Sequence, residues 1–176
     1  MPTKQEFLDF FFEASLNGWA GNAPEITLPE LPGFKVIQWP RNGQPGMPGW
    51  FYRDAYTVNQ GTKVSAGFTN IWKNGVPQFM HTYGGHYPKH VIEFLKKVLR
   101  ETYSKQHFLG GRGLPSLDLD YDLEYDLCLT EAKDHSFQKK INEIQNYSQF
   151  SGTEIIRDLK GYKTVGYHTI WCMTLF

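Results

Sequence analysis

The sequence predicts an α+β fold, antiparallel β-sheet carrying two main helices, and three observations point to it. Apolar patterns follow one another in the order helix, four strands, helix, four strands. Asn74-Gly75 lies between two extended runs, and because both residue types tolerate positive φ the pair marks a two-residue hairpin. The segments "AGFTNIWKNGVPQFMHTY" from Ala66 and "SGTEIIRDLKGYKTVGYHTI" from Ser151 share a glycine, an extended run, a turn ending in glycine and a second strand bearing a histidine. That likeness is compatible with a β-rich internal duplication.

The 176 residues fit one domain, 1–176, large enough to bury about 70% of its unfolded surface. Its first part, 1–49, reads as an N-terminal helix with Pro/Gly-rich loops, and 50–176 as the α+β core. Thr3 and Glu6 form a capping box, so a helix starts there. Phe7, Leu8, Phe11, Phe12, Leu16 and Trp19 give it an apolar stripe, and Gly18 and Gly21 close it. Prolines crowd the stretch from Gly21 to Gly49 around a short strand, Phe34 to Trp39, and read as surface loops, one of them placed to fold over a pocket. Strands follow at Trp50 to Val58, Val64 to Lys73 and Val76 to Tyr83, with Gly84-Gly85 as a sharp exit. Pro88 then opens a helix to Ser104, with Val91, Ile92, Leu95, Val98, Leu99 and Tyr103 on one face. The remaining strands come after the glycine-rich "FLGGRGLPS".

Composition narrows the function classes. Lysine plus arginine equal aspartate plus glutamate at 18 each, so no global field draws the chain to nucleic acid or anionic lipid. No window approaches the roughly 18 uncharged apolar residues of a membrane span, and the N-terminal run is broken by Glu6, Asp9 and Glu13, unlike a signal peptide. The expectation is a cytoplasmic protein with neither membrane nor nucleic acid as partner. Cys128 and Cys172 lie in strand-like patterns without metal-type spacing and read as buried thiols.

Two stretches attract chemistry. In "QFMHTYGGHYPKHV", His81, His86 and His90 are of the type that ligates zinc, but Pro88 separates His86 from His90 and no motif glutamate accompanies them. The expectation is therefore no metal, no cofactor, and a strand end beside a pocket, with Phe79, His81 and Tyr83 alternating on one face and Trp72 opposite them. Glu154, His168 and Trp171 complete this candidate site if the two halves share one sheet. In "SLDLDYDLEYDLCL", Asp118, Asp120, Asp122, Glu124 and Asp126 alternate with apolar residues, as on one strand with an acidic face that either faces solvent or binds a basic protein partner. "GGRG" around Arg112 is a weak anion-binding candidate. No nucleophile motif, P-loop or dinucleotide fingerprint is present.

"YRDAY" from Tyr52, "IWKNGVPQFMHTYGG" from Ile71, "FLGGRGLP" from Phe108 and "FSGTEII" from Phe150 resemble a bacterial domain of unknown function found at the C-terminus of XRE-type helix-turn-helix regulators and also as stand-alone proteins. Phe79 stands where that pattern usually has tryptophan, and Thr69 or Asn70 where it has glutamate. The resemblance implies a stand-alone sensing or interaction domain and adds no activity. Two function classes follow: a small-molecule-binding or regulatory domain walled by aromatics, or a small hydrolase or transferase using His81 or His168 as general base.

Overall fold

The computed structural model describes residues 2–131 and 149–175. Among the described residues two helices, α1 (Lys4–Leu16) and α2 (Ile92–Ser104), lie on a sheet of eight strands: β1 (Lys35–Trp39), β2 (Trp50–Val58), β3 (Val64–Lys73), β4 (Val76–His86), β5 (Ser116–Asp118), β6 (Leu123–Glu131), β7 (Gln149–Asp158) and β8 (Lys163–Thr174). The order is β1-β2-β3-β4-β8-β7-β6-β5, antiparallel throughout. Each half is thus a helix followed by a four-strand meander, and the halves meet where β4 pairs β8.

The correspondence extends to register. Across β2, β3 and β4 one row reads Asp54, Thr69, His81; across β6, β7 and β8 the matching row reads Leu127, Glu154, His168. Gly67 and Gly152 hold equal places, as do Tyr52 and Tyr125.

Local chemistry explains the elements. The Thr3–Glu6 capping box forms, both arms present. α1 buries Phe7, Phe10, Phe11 and Phe12, each contributing about 1.5–3 kcal/mol of apolar burial. Phe11 meets Phe79 edge-on at 5.8 Å and Phe108 at 4.8 Å, which seats α1 on β4. α2 opens through a 3-10 turn at Lys89–Val91, with Pro88 in extended geometry before it. Asn74 and Gly75 have φ of 50° and 79°, the left-handed pair a two-residue hairpin requires.

Four expectations are corrected. β4 does not exit at Gly84-Gly85 but continues to His86, pairing on both sides. The acidic alternation is not one strand: β5 ends at Asp118, a turn with Asp122 at φ 54° reverses the chain, and β6 begins at Leu123. Only in β6 does the period-two pattern hold, with Leu123, Tyr125 and Leu127 buried, whereas Leu117 and Leu119 are exposed. Asp118 pairs with Lys97, Asp122 with Lys160, and Glu124 and Asp126 share Arg157, so these acids already have cationic partners within the chain. Cys172 is buried but Cys128 is exposed, with β7 between their strands, so they do not form a buried pair. Finally, the proline-rich loop from Pro40 packs near β2, Gly43 against the Phe51 ring, on the face away from the helices.

Candidate functional site

The strand residues that point toward the helices converge on one polar cluster. Arg112, from the loop after α2, is buried and donates from Nη1 to Glu154 Oε1 at 2.8 Å and from Nη2 to His81 Nε2 at 3.2 Å. Because guanidinium has no acceptor, that contact fixes the His81 proton on Nδ1. Tyr125 donates to Glu154 Oε2 at 2.7 Å, and the Gly113 amide donates to Tyr125 Oη at 3.0 Å. Burial alone would raise the Glu154 carboxyl, but Arg112, then His168 and Tyr125, hold it below the usual carboxylate range. Arg112 also lies over the Tyr83 ring at 5.0 Å.

Asp54 sits in a second environment. Its Oδ1 accepts from Thr69 at 2.9 Å and from Tyr83 at 2.8 Å, with no cation among the described residues in hydrogen-bond contact. Burial pushes its carboxyl above the usual range, more than the two hydroxyls and Arg112 pull it down.

Glycines make the close approaches possible. Ser65 and His168 occupy one row on either side of Gly85, and their side chains meet above it at 2.9 Å. A Cβ on Gly85 would stand 2.1 Å from the Tyr167 carbonyl oxygen and 2.7 Å from the His168 ring. Gly67 likewise lies between Tyr56 and Tyr83, and a Cβ there would meet Tyr83 Oη at 2.6 Å. Tyr83 leans over this gap to reach Asp54. These glycines are places where side chains cross the sheet surface.

Between this floor and the helices lies a cleft of about 160 Å³. Tyr52, Asp54, Tyr56, Ser65, Tyr83 and His168 line it from the sheet, and Trp19, Leu95 and Tyr103 from the helical side. His168 is buried, its pKa pushed down to about 4 by burial and Arg112 against the opposing pull of Glu154. Its Nδ1 stands 3.6 Å from Glu154 Oε1, beyond a well-formed hydrogen bond. Burial, then Arg112 and His168, drive His81 well below its ordinary value, so both imidazoles are neutral at pH 7.

The cluster brings together most of the expected residues. Phe79, His81 and Tyr83 share a face as anticipated, and Glu154, His168 and Arg112 join them, although Arg112 serves as the counter-ion of Glu154. Trp72 and Trp171 do not join. A bulge between Ile71 and Trp72 shifts the β3–β4 register by one residue, which puts Trp72 on the other face against Phe51, ring centroids 5.5 Å apart. Trp171 is three residues from His168 on one strand, so the pleat turns it away. Of the three histidines near the strand end, His86 contacts the Lys63 carbonyl at 3.2 Å and His90 is exposed. Among the described residues no three histidine, cysteine, aspartate or glutamate side chains cluster as metal ligands. Sequence reasoning missed Asp54, Ser65, Tyr52 and Tyr125 as site residues. The signal for the first was the alternation Tyr52, Asp54, Tyr56, which sets all three on one face.

No protein-family model, curated protein or solved structure matches this chain. No helix among the described residues is long and apolar enough to cross a membrane.

Proposed function

We propose that the chain is a small-molecule-binding domain with a regulatory or interaction role, its ligand held in the cleft between the helices and β2, β3, β4 and β8. The observation that carries this reading is the lining: aromatic walls around a few polar groups, with Asp54 left without a counter-ion. An apolar cavity of roughly 150 Å³ accommodates benzene, so a one-ring compound matches the space. The resemblance of the Tyr52, Ile71, Phe108 and Phe150 motifs to a domain attached to XRE-type regulators supports a regulatory, cytoplasmic role. The test is a fragment screen of one-ring compounds by thermal shift and ligand-observed NMR, repeated on Val58→Trp, which fills the cleft from β2. Saturable hits lost in Val58→Trp are expected. An absence of hits, or hits unchanged by Val58→Trp, would overturn the assignment.

One observation favours a second reading, a small hydrolase or transferase. Ser65 Oγ, His168 and Glu154 align as nucleophile, base and orienting carboxylate. Neutral His168, with its proton on Nδ1, would take the Ser65 hydroxyl proton at Nε2 as Ser65 Oγ adds to an acyl carbon, and would return it to the departing alcohol or amine as the acyl bond to that group breaks. His81 is the poorer base, because Arg112 already occupies its Nε2 lone pair. Two features weigh against this reading: Glu154 is committed to Arg112 and Tyr125, and a pKa near 4 makes His168 a feeble base at pH 7. Fluorophosphonate labelling of wild type but not Ser65→Ala would reverse the preference.

A further inference from the structure

Resting on the reading of the cleft as a ligand site, the chemistry of its walls selects the ligand. Of the described residues that line it, Asp54 is the one carboxylate. Thr69 and Tyr83 both donate to Oδ1, and Oδ2 accepts from no described residue while Asp54 borders the cleft. The rings of Trp19, Tyr52 and Tyr56 border the same cleft, and such rings attract positive charge: Lys96 already lies over Trp19 at 4.8 Å and Lys35 over Tyr56 at 5.8 Å, while no cation among the described residues lies over Tyr52. Neither lining cation pairs with Asp54: Arg112 is paired with Glu154 and acts on Asp54 only through space, and Lys63 is exposed. An anionic ligand would have to compete with Glu154 and His81 for Arg112, whose two terminal nitrogens each make one hydrogen bond and whose Nε is buried without a partner among the described residues.

We infer that the cleft takes a small organic cation, a protonated amine or amidine on a flat or apolar one-ring body, with the positive group on Asp54 Oδ2 and the body against Trp19, Tyr52 and Tyr56. Such a ligand supplies the counter-charge that the fold withholds from Asp54, removing the burden that burial places on its ionised form.

The experiment compares three probes of nearly one shape by calorimetry and NMR: benzylammonium, benzyl alcohol and benzoate. Benzylammonium is expected to bind, the other two at least tenfold more weakly. Asp54→Asn keeps an acceptor for Thr69 and Tyr83 and should weaken benzylammonium about tenfold or more, the loss of one hydrogen bond to a charged group. Equal binding of benzyl alcohol, with no effect of Asp54→Asn, would overturn the cation assignment and leave the cleft standing as a ligand site. Preferential binding of benzoate would overturn it in favour of an anion. If none of the three binds, the cation assignment is overturned, and if the fragment screen also yields no hit that is lost in Val58→Trp, the site itself fails. The probe comparison needs only wild-type protein, so it decides the matter even if Asp54→Asn does not fold.

Discussion

Thr69 and Glu154 hold corresponding places in the two halves of the sheet, each beside a histidine on the next strand, yet their surroundings differ in kind. In the second half the carboxylate stands on the strand next to the histidine, and Arg112 and Tyr125 each donate to one of its oxygens. In the first half the carboxylate has moved one strand over, to Asp54, and is held by two hydroxyls beside open space. One half is a neutralised lock and the other an incomplete charge site. Near-symmetric frameworks therefore need not carry symmetric chemistry: a single loop arginine touches both histidine-bearing halves but pairs its charge with the carboxylate of only one, Glu154.

The largest expected effect tests the lock. Arg112→Ala strands Glu154 as an unpaired buried charge and should cost about 3–5 kcal/mol in urea unfolding. A cost within ~0.5 kcal/mol, the size of an ordinary surface substitution, would show that Glu154 is not locked and the contrast is false. Next in size is Gly67→Ala. Its Cβ would stand 2.6 Å from both Tyr83 Oη and the Ala55 carbonyl, so Tyr83 must leave Asp54, at about 1–3 kcal/mol. The corresponding Gly152→Ala meets the Cys128 carbonyl at 2.3 Å and should destabilise by a similar amount. Ligand binding separates the two: Gly67→Ala should impair it and Gly152→Ala should not.

Much of this framework is legible in the sequence, because capping boxes, Asn-Gly hairpins and apolar periods depend on neighbours a few residues away. The Thr3–Glu6 cap, the β3–β4 turn and the helix from Pro88 to Ser104 are of that kind. What escapes is set by contacts between distant segments. Gly84-Gly85 reads as a strand end because glycine pairs usually are one, whereas its reason to be there, room for His168, lies 83 residues further on. Trp72 shares the face of Phe79, His81 and Tyr83 if the hairpin pairs without interruption, and the extra residue Gln78 inverts that parity. Arg112 looks like an anion nest because nothing near it in sequence announces Glu154. The acidic alternation misleads since period two continues across a turn, with Asp122 in left-handed geometry where a strand was expected.

Acid titration sharpens the contrast further. His168 has the ordinary histidine pKa of 6.5 when unfolded and is depressed to about 4 when folded, so the unfolded chain binds its proton first. Its contribution is therefore complete above pH 6.5 and is lost as pH falls toward 4, about 2 kcal/mol by pH 5. His81, shifted in the same direction, adds to the slope. Urea midpoints measured between pH 8 and pH 4 should fall on acidification, and His168→Gln should flatten part of the fall. A midpoint that rises toward pH 5 would contradict the neutral, buried assignment of both imidazoles.

The smallest effect is the most discriminating. Asp54 and Glu154 are both buried carboxylates, but the Asp54 pKa is raised and the Glu154 pKa lowered, so neutral substitutes should move stability in opposite directions. Glu154→Gln removes the negative partner of Arg112 and should destabilise. Asp54→Asn retains the acceptor for Thr69 and Tyr83 and removes a charge that has no paired counter-ion among the described residues, so at pH 7 it should stabilise by up to about 1 kcal/mol. The sign follows from linkage. A raised folded pKa means the carboxyl contributes its stability below the unfolded value of 3.8 and loses it as pH rises through the folded value. The advantage of Asp54→Asn should therefore be present at pH 7 and vanish in acid. If Asp54→Asn instead destabilises at pH 7 as Glu154→Gln does, Asp54 has a counter-ion in the folded protein and the two halves are alike after all. A saturating organic cation offers the matching check on wild type, since it should erase the stability difference between wild type and Asp54→Asn by supplying that counter-ion from outside.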